Sequence, residues 1–316
     1  MSSELTKVVA LSGGIGGAKL ALGLYRILPS DSLTVIANTG DDFEHFGLSI
    51  SPDLDTLLYT LSGKDNQELG WGRRGETWTF IAAIAALGGE SWFRLGDGDL
   101  ATHVERTRRL RAGEPLSSII DDFRRNFGIA ASLLPMSNDP VRTKVQTADG
   151  PLEFQDYFVR QRCAPVVTAL RFAGAETALP SPEVLTILGD PRVGIVVICP
   201  SNPFISIDPI LAVPGIRTAL RDCPAPVVAV SPIIGGKAVK GPTAKMMAEL
   251  GLPVGAAAVA RHYSDLIDLY IADEEDACSL GELPMPVIFT RTLMQSIEDR
   301  EQLARDVINA AARVRR

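Results

Sequence analysis

The sequence predicts an α/β fold: a Rossmann-like, doubly wound, mainly parallel sheet with a largely helical insertion. Three observations carry this expectation. A short apolar run, KVVALS at 7–12, leads straight into a glycine-rich turn and a helical pattern. A second apolar run, LTVIAN at 33–38, follows after about one helix length. The same alternation resumes far downstream at VGIVVICPSNP (193–203) and APVVAVSPIIGG (225–236). Uninterrupted apolar runs of this length read as strands covered on both faces. Right-handed crossovers between such strands place ligands at the strands' C-terminal ends.

Taken in order, the first helix is expected over about 18–28, after Gly13, Gly14, Gly16 and Gly17. The span 54–130 reads mostly as helix. Within it, ETWTFIAAIAALGG has apolar spacing and a glycine stop. DLATHVERTRRLRAGEPLS is amphipathic, with Arg106, Arg108, Arg109 and Arg111 read as a solvated face. TKVQTADGPLEFQDYFV (143–159) holds Asp149-Gly150 between two strand-like runs and reads as a hairpin. A helix over 243–250 and a strand LYIAD at 269–273 follow. With no repeat, low-complexity tract or linker, the expectation is one domain over 1–316. It divides into an α/β core of about 1–53 and 190–280 and a mostly helical insertion of about 54–189.

Composition narrows the function. With 316 residues, 46% of them hydrophobic, the chain is large enough for a substantial core. A net charge of -7 argues against a general nucleic-acid binder, which would need a basic face. Cys163, Cys199, Cys223 and Cys278 form no C-x-x-C pair, which argues against zinc, and Cys199 sits in an apolar run as a buried thiol. The N-terminal MSSELTK lacks an apolar leader, and no apolar run has membrane-spanning length. The expectation is a soluble cytoplasmic protein with no membrane partner.

The glycine turn fits neither standard phosphate motif. Counted from Gly14, the dinucleotide fingerprint meets Lys19 where its third glycine belongs, and Ala18-Lys19-Leu20 lacks the P-loop hydroxyl. The glycines still let backbone amides approach an anion closely, helped by the helix dipole. Asn38, Asp41 and Asp42 follow the second strand, and Asp53 and Asp55 come after Ser51-Pro52. An acidic chain that holds diphosphate does so through local groups or metal ions, and magnesium takes carboxylate oxygens together with substrate phosphates. Asp53 equally suits a plain cap for a helix beginning near Leu54. His45, between the acidic pairs, is either a proton-transfer group or structural, while His103 and His262 lack metal-ligand spacing to another histidine. Arg94, in WFRLGDGDLATH, suits an anion or a polar ring edge. Trp71, Trp78 and Trp92 flank it, as core or as a stacking wall. Ser201, Asn202 and Ser206, then Gly235, Gly236, Lys237 and Lys240, make two further candidate nucleotide loops.

In order along the chain, GGIGGAKL, NTGDD, ISPDLDTLLY, WFRLGDGDLATH, LLPMSNDPVRT, FQDYFV, PSNPFISIDPIL and SPIIGGKAVKGP closely resemble the 2-phospho-L-lactate transferase family of coenzyme F-420 biosynthesis. The resemblance covers nearly the whole chain. It implies transfer of a phospho-carboxylic acid from a guanosine diphospho donor to the ribityl hydroxyl of 7,8-didemethyl-8-hydroxy-5-deazariboflavin, Fo, releasing GMP with magnesium as cofactor. It implies Asp55 and Arg94 as Fo contacts, Asp55 being the catalytic residue, with the insertion forming the Fo side. Gly13, Gly14, Gly16, Gly17, Lys19, Asn38, Ser201, Asn202, Gly235 and Gly236 are the nucleotide and phosphate candidates, and Asp41, Asp42 and Asp53 the metal candidates. Asp55, as a crevice carboxylate, is expected to add little to stability. A homodimer is expected from the family.

Whether the donor carries lactate, enolpyruvate or glycerate is left open by the sequence. The alternative is a nucleotide-sugar-binding regulator of the gluconeogenesis-factor type, against which ISPDLDTLLY and WFRLGD argue. An NAD-dependent oxidoreductase is weakened by the missing third glycine and by Asn38 where an acidic ribose ligand would stand.

Overall fold

The structure is a computed structural model that describes residues 7–239 and 241–314. Its centre is a seven-stranded sheet of β1 (Lys7–Ser12), β2 (Leu33–Ala37), β3 (Ser132–Pro135), β4 (Val193–Ile198), β5 (Val227–Val230), β6 (Leu269–Asp273) and β7 (Val287–Thr290). The spatial order is β7-β6-β5-β4-β1-β2-β3, and every neighbouring pair is parallel. The chain leaves β1 toward β2 and β3, then returns to the other side of β1 with β4. That reversal is a topological switch point, and it opens a crevice beyond the ends of β1 and β4.

The helices are α1 (Gly14–Ile27), α2 (Pro52–Leu61), α3 (Thr79–Ala86), α4 (Asp97–Arg111), α5 (Leu116–Asn126), α6 (Pro182–Leu188), α7 (Asp208–Ala212), α8 (Ile216–Asp222), α9 (Thr243–Glu249), α10 (Ala256–His262) and α11 (Ile297–Ala311). Alternate residues of each strand point to opposite faces, and the two cores divide accordingly. Val8 and Ala10 pack with Leu20 and Leu24 of α1, Leu54 and Leu58 of α2, Ile120 of α5 and Leu303 of α11. Val9 and Leu11 pack with Leu188 of α6, Ile216 of α8, Met246 of α9 and Val259 of α10. These side chains are all buried, and each of the valines, leucines, isoleucines and the methionine contributes roughly 1.5–3 kcal/mol. The doubly wound α/β class is therefore as expected.

Several local expectations change. The first helix starts at Gly14, not near 18, so Gly14, Gly16 and Gly17 form its first turn. The span 54–189 is not simply helical. It contains β3, the edge strand of the main sheet, and an antiparallel sheet of Arg142–Thr147, Gly150–Glu153 and Ala169–Ala173. The expected hairpin is the first pair of that sheet, in register Thr147 with Gly150. Beyond 280, β7 pairs with β6, and α11 begins on a capping box of Ser296 and Asp299. α11 lies so close to α1 that a Cβ on Gly23 would meet the Arg300 carbonyl oxygen at 2.1 Å. Arg106 does not share the solvated face of Arg108 and Arg111, because it is fully buried. No helix among the described residues is long and apolar enough to cross a membrane.

Candidate active site

A cavity of about 620 Å³ occupies the switch point, within the roughly 300–1,000 Å³ of small-molecule sites. Its lining includes Gly13, Gly14, Gly16, Lys19, Asp41, Asp53, Asp55, Arg94, Ser201 and Asn202. Gly17, Asn38, Asp42, Gly235 and Gly236 are not in the lining.

The glycine turn is shaped by its neighbours as much as by any ligand. A Cβ on Gly13 would lie 2.7 Å from Ser206 Cβ and 2.8 Å from Asp53 Oδ2. One on Gly16 would lie 2.4 Å from the Pro200 carbonyl oxygen, and one on Gly17 2.4 Å from Ser12 Oγ. Gly14 has φ +65°, a conformation that favours glycine. The Ser201 hydroxyl donates to the Gly13 carbonyl at 2.8 Å, joining this turn to the loop after β4. The start of α1 and the Ser201–Asn202 loop thus form one wall. Asn202 accepts from Phe204 N at 3.0 Å and so orders that loop. Lys19 Nζ donates to the Met294 carbonyl at 2.8 Å, tying the wall to the segment before α11.

α2 starts at Pro52 and carries Asp53 and Asp55 in its first turn. Asp53 does not cap its own helix. It accepts from Gly14 N at 2.6 Å, the first amide of α1, and from Asn38 Nδ2 at 2.9 Å. Asn38 therefore works from behind the lining as an orienting amide, accepting from Gly40 N at 2.7 Å as well. Burial raises the Asp53 carboxyl to about 6. Burial, and then the charge of Asp53, pushes Asp41 well above its ordinary value. Asp41 Oδ1 is buried without a hydrogen-bond partner. Two close, dry carboxylates, one with an orphaned oxygen, are a hard-oxygen set that fits magnesium. Asp42 is separate. Burial raises it to about 7, and it accepts from Ser51 Oγ at 2.8 Å on a side that faces Arg142 and Arg106.

Asp55 faces the other way. Arg106 Nη1 donates to its Oδ2 at 3.1 Å and Nη2 to its Oδ1. His103 Nδ1 is 3.6 Å from Asp55 Oδ2, and Nε2 is 3.2 Å from Asp99 Oδ2. Tyr59 donates to Asp99 Oδ1 at 2.6 Å. Asp99, His103 and Tyr59 all line the cavity. Sequence reading missed this cluster. Its signal was the i, i+4, i+7 spacing of Asp99, His103 and Arg106 on one face of α4.

The tryptophans are not core. Trp71 is 43% exposed, and Trp71, Trp92 and Phe93 line the cavity. The Arg94 guanidinium lies 4.3 Å from the Trp78 ring centre, so a cation–π contact positions it at the rim. His45 packs behind this wall, its ring centre 5.3 Å from that of Trp92, and it is absent from the lining. Burial lowers its affinity for a proton. That placement removes the proton-transfer reading of His45. His262 pairs with Asp208 at 2.8 Å.

The second candidate loop is already occupied by protein. Gly235 N and Gly236 N donate to Asp276 at 3.2 and 3.0 Å, so these amides are not open to phosphate. Lys237 is exposed on the same loop, and Lys240 lies outside the described residues.

A family model described as 2-phospho-L-lactate transferase CofD matches residues 8–284. The chain is 43% identical over 318 residues to a phosphoenolpyruvate transferase of Streptomyces griseus, covering 98% of this chain and 99% of that one. It is 39% identical over 306 residues to a 2-phospho-L-lactate transferase of Methanosarcina mazei, covering 96% of this chain and 100% of that one. Among solved structures, a UPF0052 family member from Bacillus halodurans aligns with a TM-score of 0.63 at 15% identity, over 96% of this chain and 98% of that one. At that identity the likeness concerns the fold alone.

Proposed function

The chain belongs to the 2-phospho-L-lactate transferase CofD family, and from that premise we propose the reaction its cavity performs. A guanosine diphospho donor carrying a small carboxylic acid binds along the α1 wall. The ribityl hydroxyl of Fo attacks the phosphorus that bears the acid, GMP leaves, and the product is a phosphodiester on the path to coenzyme F-420. The relatives carry transferase names, which favours turnover over a binding-only role.

One observation carries the reading: the start of α2 stands between two unlike walls of one cavity. On one side Asp53 meets the amide end of α1, where a helix start favours phosphate. On the other Asp55 meets a charged cluster beside an aromatic wall suited to a flat ring system. The acceptor hydroxyl and the donor phosphorus meet where the two walls converge.

Asp41 and Asp53 would hold magnesium, which when bound offsets charge on the diphosphate and on the departing GMP. The chain's own groups do the rest. The amides of Ile15 and Gly16, in the first turn of α1, hold phosphate oxygens, and Lys19 adds positive charge. Ser201 and Asn202 border the nucleotide. Asp55, held in place by Arg106, accepts a hydrogen bond from the attacking hydroxyl and aims it. Arg94 and the tryptophans hold the deazaflavin ring. Phosphoryl-type transfer relies mainly on such positioning and charge balance, and no covalent nucleophile is required.

The test is incubation with Fo, magnesium and each of the lactyl, enolpyruvyl and glyceryl donors in turn, following GMP and a new charged deazaflavin. Release of GMP with conversion of Fo supports the proposal, and the preferred donor identifies the acid. No conversion with any of the three contradicts it.

A further inference from the structure

We propose that Arg160 is a positioning residue for the acceptor: it grips Trp92 on two sides and so fixes the aromatic wall against which the deazaflavin lies. This rests on the transferase reading above and adds to it a residue that touches neither substrate.

Trp92 belongs to a stretch that the core scarcely holds. From 62 to 94, only Ile81 is buried. Leu69, Trp71 and Leu87 are exposed. Segments with few buried contacts open locally at low cost. A wall on such a stretch binds a flat ring tightly only if something outside the stretch holds it still. Phe43 and His45 back the Trp92 ring, at 6.3 and 5.3 Å between centres. These contacts leave the polar edge of the indole to other groups.

Arg160 supplies the fastening. Its guanidinium lies over the Trp92 ring, 4.5 Å from the ring centre, within cation–π range. Its Nη2 donates to Glu90 Oε1 at 2.9 Å. The other oxygen of that carboxylate, Oε2, accepts from Trp92 Nε1 at 3.1 Å. The three side chains close a ring: Arg160 on the indole face, Glu90 on the indole N–H, and an ion pair between the two. Holding face and edge together sets both the tilt and the rotation of the indole. Asp156 Oδ1, 3.3 Å from Arg160 Nε, steadies the guanidinium from its own helical turn.

Arg160 comes from a different element of the cavity. It ends a single π-helical turn, Asp156–Arg160, a form that recurs at functional sites. Phe158 and Val159 of that turn line the cavity, as does Phe154, whose ring stacks with that of Phe158 at 5.3 Å and 18°. Trp92 and Phe93 line it as well, and Arg160 does not. Arg160 thus joins two aromatic-bearing elements, 90–93 and 154–160, and acts through Trp92 rather than on the ligand. The planar guanidinium can stack and pair at once, which an ammonium cannot. Arg160 is 42% exposed, so solvent moderates each contact, and the expected effect is a change in affinity rather than loss of the site.

The experiment uses the full chain. Fo is titrated directly by its fluorescence, and GMP release is followed with magnesium and the preferred donor. Arg160→Met keeps an unbranched stem and removes the charge and the fork. It should raise Kd and KM for Fo by about three- to ten-fold, the scale of one cation–π contact with one ion pair. At saturating Fo, kcat should stay within about two-fold, as should donor affinity. That split, with an unchanged melting curve, separates positioning from a general loss of fold. Arg160→Lys should recover only part of the affinity; full recovery would reduce Arg160 to a point charge and overturn the clamp. In a Trp92→Ala background, Arg160→Met should weaken Fo by no more than about two-fold further, because a residue that acts through Trp92 has nothing left to hold. A full additional loss in that background overturns the proposal. A wild-type chain that neither binds Fo nor releases GMP overturns the transferase reading and this inference with it. Wild-type binding and turnover, with Fo affinity of Arg160→Met within about two-fold of it, overturns this inference alone.

Discussion

Asp53 and Asp55 stand two residues apart in the first turn of α2, both buried and both lining one cavity, yet their surroundings are opposites. Asp53 is held by neutral donors, a backbone amide of α1 and the amide of Asn38, next to a second dry carboxylate, Asp41. Asp55 is held by a buried guanidinium. One carboxylate has neutral hydrogen-bond partners and the other a cationic one. Residue type and helix position are the same, so the difference in role comes from what the rest of the fold brings to each. The Asp53 side suits a mobile cation and phosphate, and the Asp55 side suits an uncharged hydroxyl that must be aimed.

If Asp41 and Asp53 await a cation, removing magnesium with excess chelator should reduce turnover to background, and re-addition should restore it. Full turnover in chelator would break the comparison at its donor end.

The acceptor end is tested by Asp55→Asn, which should lower single-turnover GMP formation by about 100-fold or more. It should also lower the melting temperature, because it leaves Arg106 buried without its counter-charge, a loss that reaches about 3–5 kcal/mol for such pairs. This differs from the sequence expectation of little stability change, and the cause is the Arg106 pair. The double variant Asp55→Asn/Arg106→Met should recover stability but not turnover. Recovery of both would make the pair purely structural.

Gly16→Val meets the Pro200 carbonyl, so the wall must open. Donor affinity should fall roughly ten-fold with stability lower by about 1–3 kcal/mol, while Fo affinity holds. Equal loss of both ligands in calorimetry would deny the α1 wall a donor-specific role.

The raised carboxyls predict a pH effect of smaller size. Asp53 sits at about 6 and Asp42 at about 7, against an ordinary 3.8. The fold therefore takes up protons between about pH 4 and 7, and these groups make the metal-free protein less stable as pH rises through that window. Magnesium binds the ionised forms, so its stabilisation should grow over the same window. Thermal melts with and without magnesium at several pH values measure both. A magnesium benefit independent of pH would place the ion elsewhere. The smallest effect is Arg94→Ala at the rim, where loss of a half-exposed cation–π contact should weaken Fo by about two- to five-fold.

How much of this was legible in sequence follows the range of the interactions. β1, β2, β4, β5 and β6 announced themselves as apolar runs, because strands covered on both faces need no partner to be recognised. β3 is only SLLP, embedded among helices, and its place at the sheet edge depends on pairing with β2 far upstream. The glycine turn was legible from composition. Its reasons, the Pro200 carbonyl and the Ser12 and Ser201 hydroxyls, were not, since two of them arrive from after β4. Arg106 looked like a surface charge on an amphipathic helix. Its burial is decided by Asp55, 51 residues earlier, and no local pattern reports that. Gly235 and Gly236 show the converse: a glycine pair that read as a phosphate loop binds Asp276 of its own chain.

The most direct test of the divided first turn of α2 is calorimetry of Asp53→Asn and Asp55→Asn with each ligand separately, below the melting temperature of both. Asp53→Asn should lose magnesium-dependent donor binding and keep Fo affinity within about two-fold. Asp55→Asn should keep magnesium-dependent donor binding and lose Fo affinity. Loss of the same ligand in both variants would contradict the account.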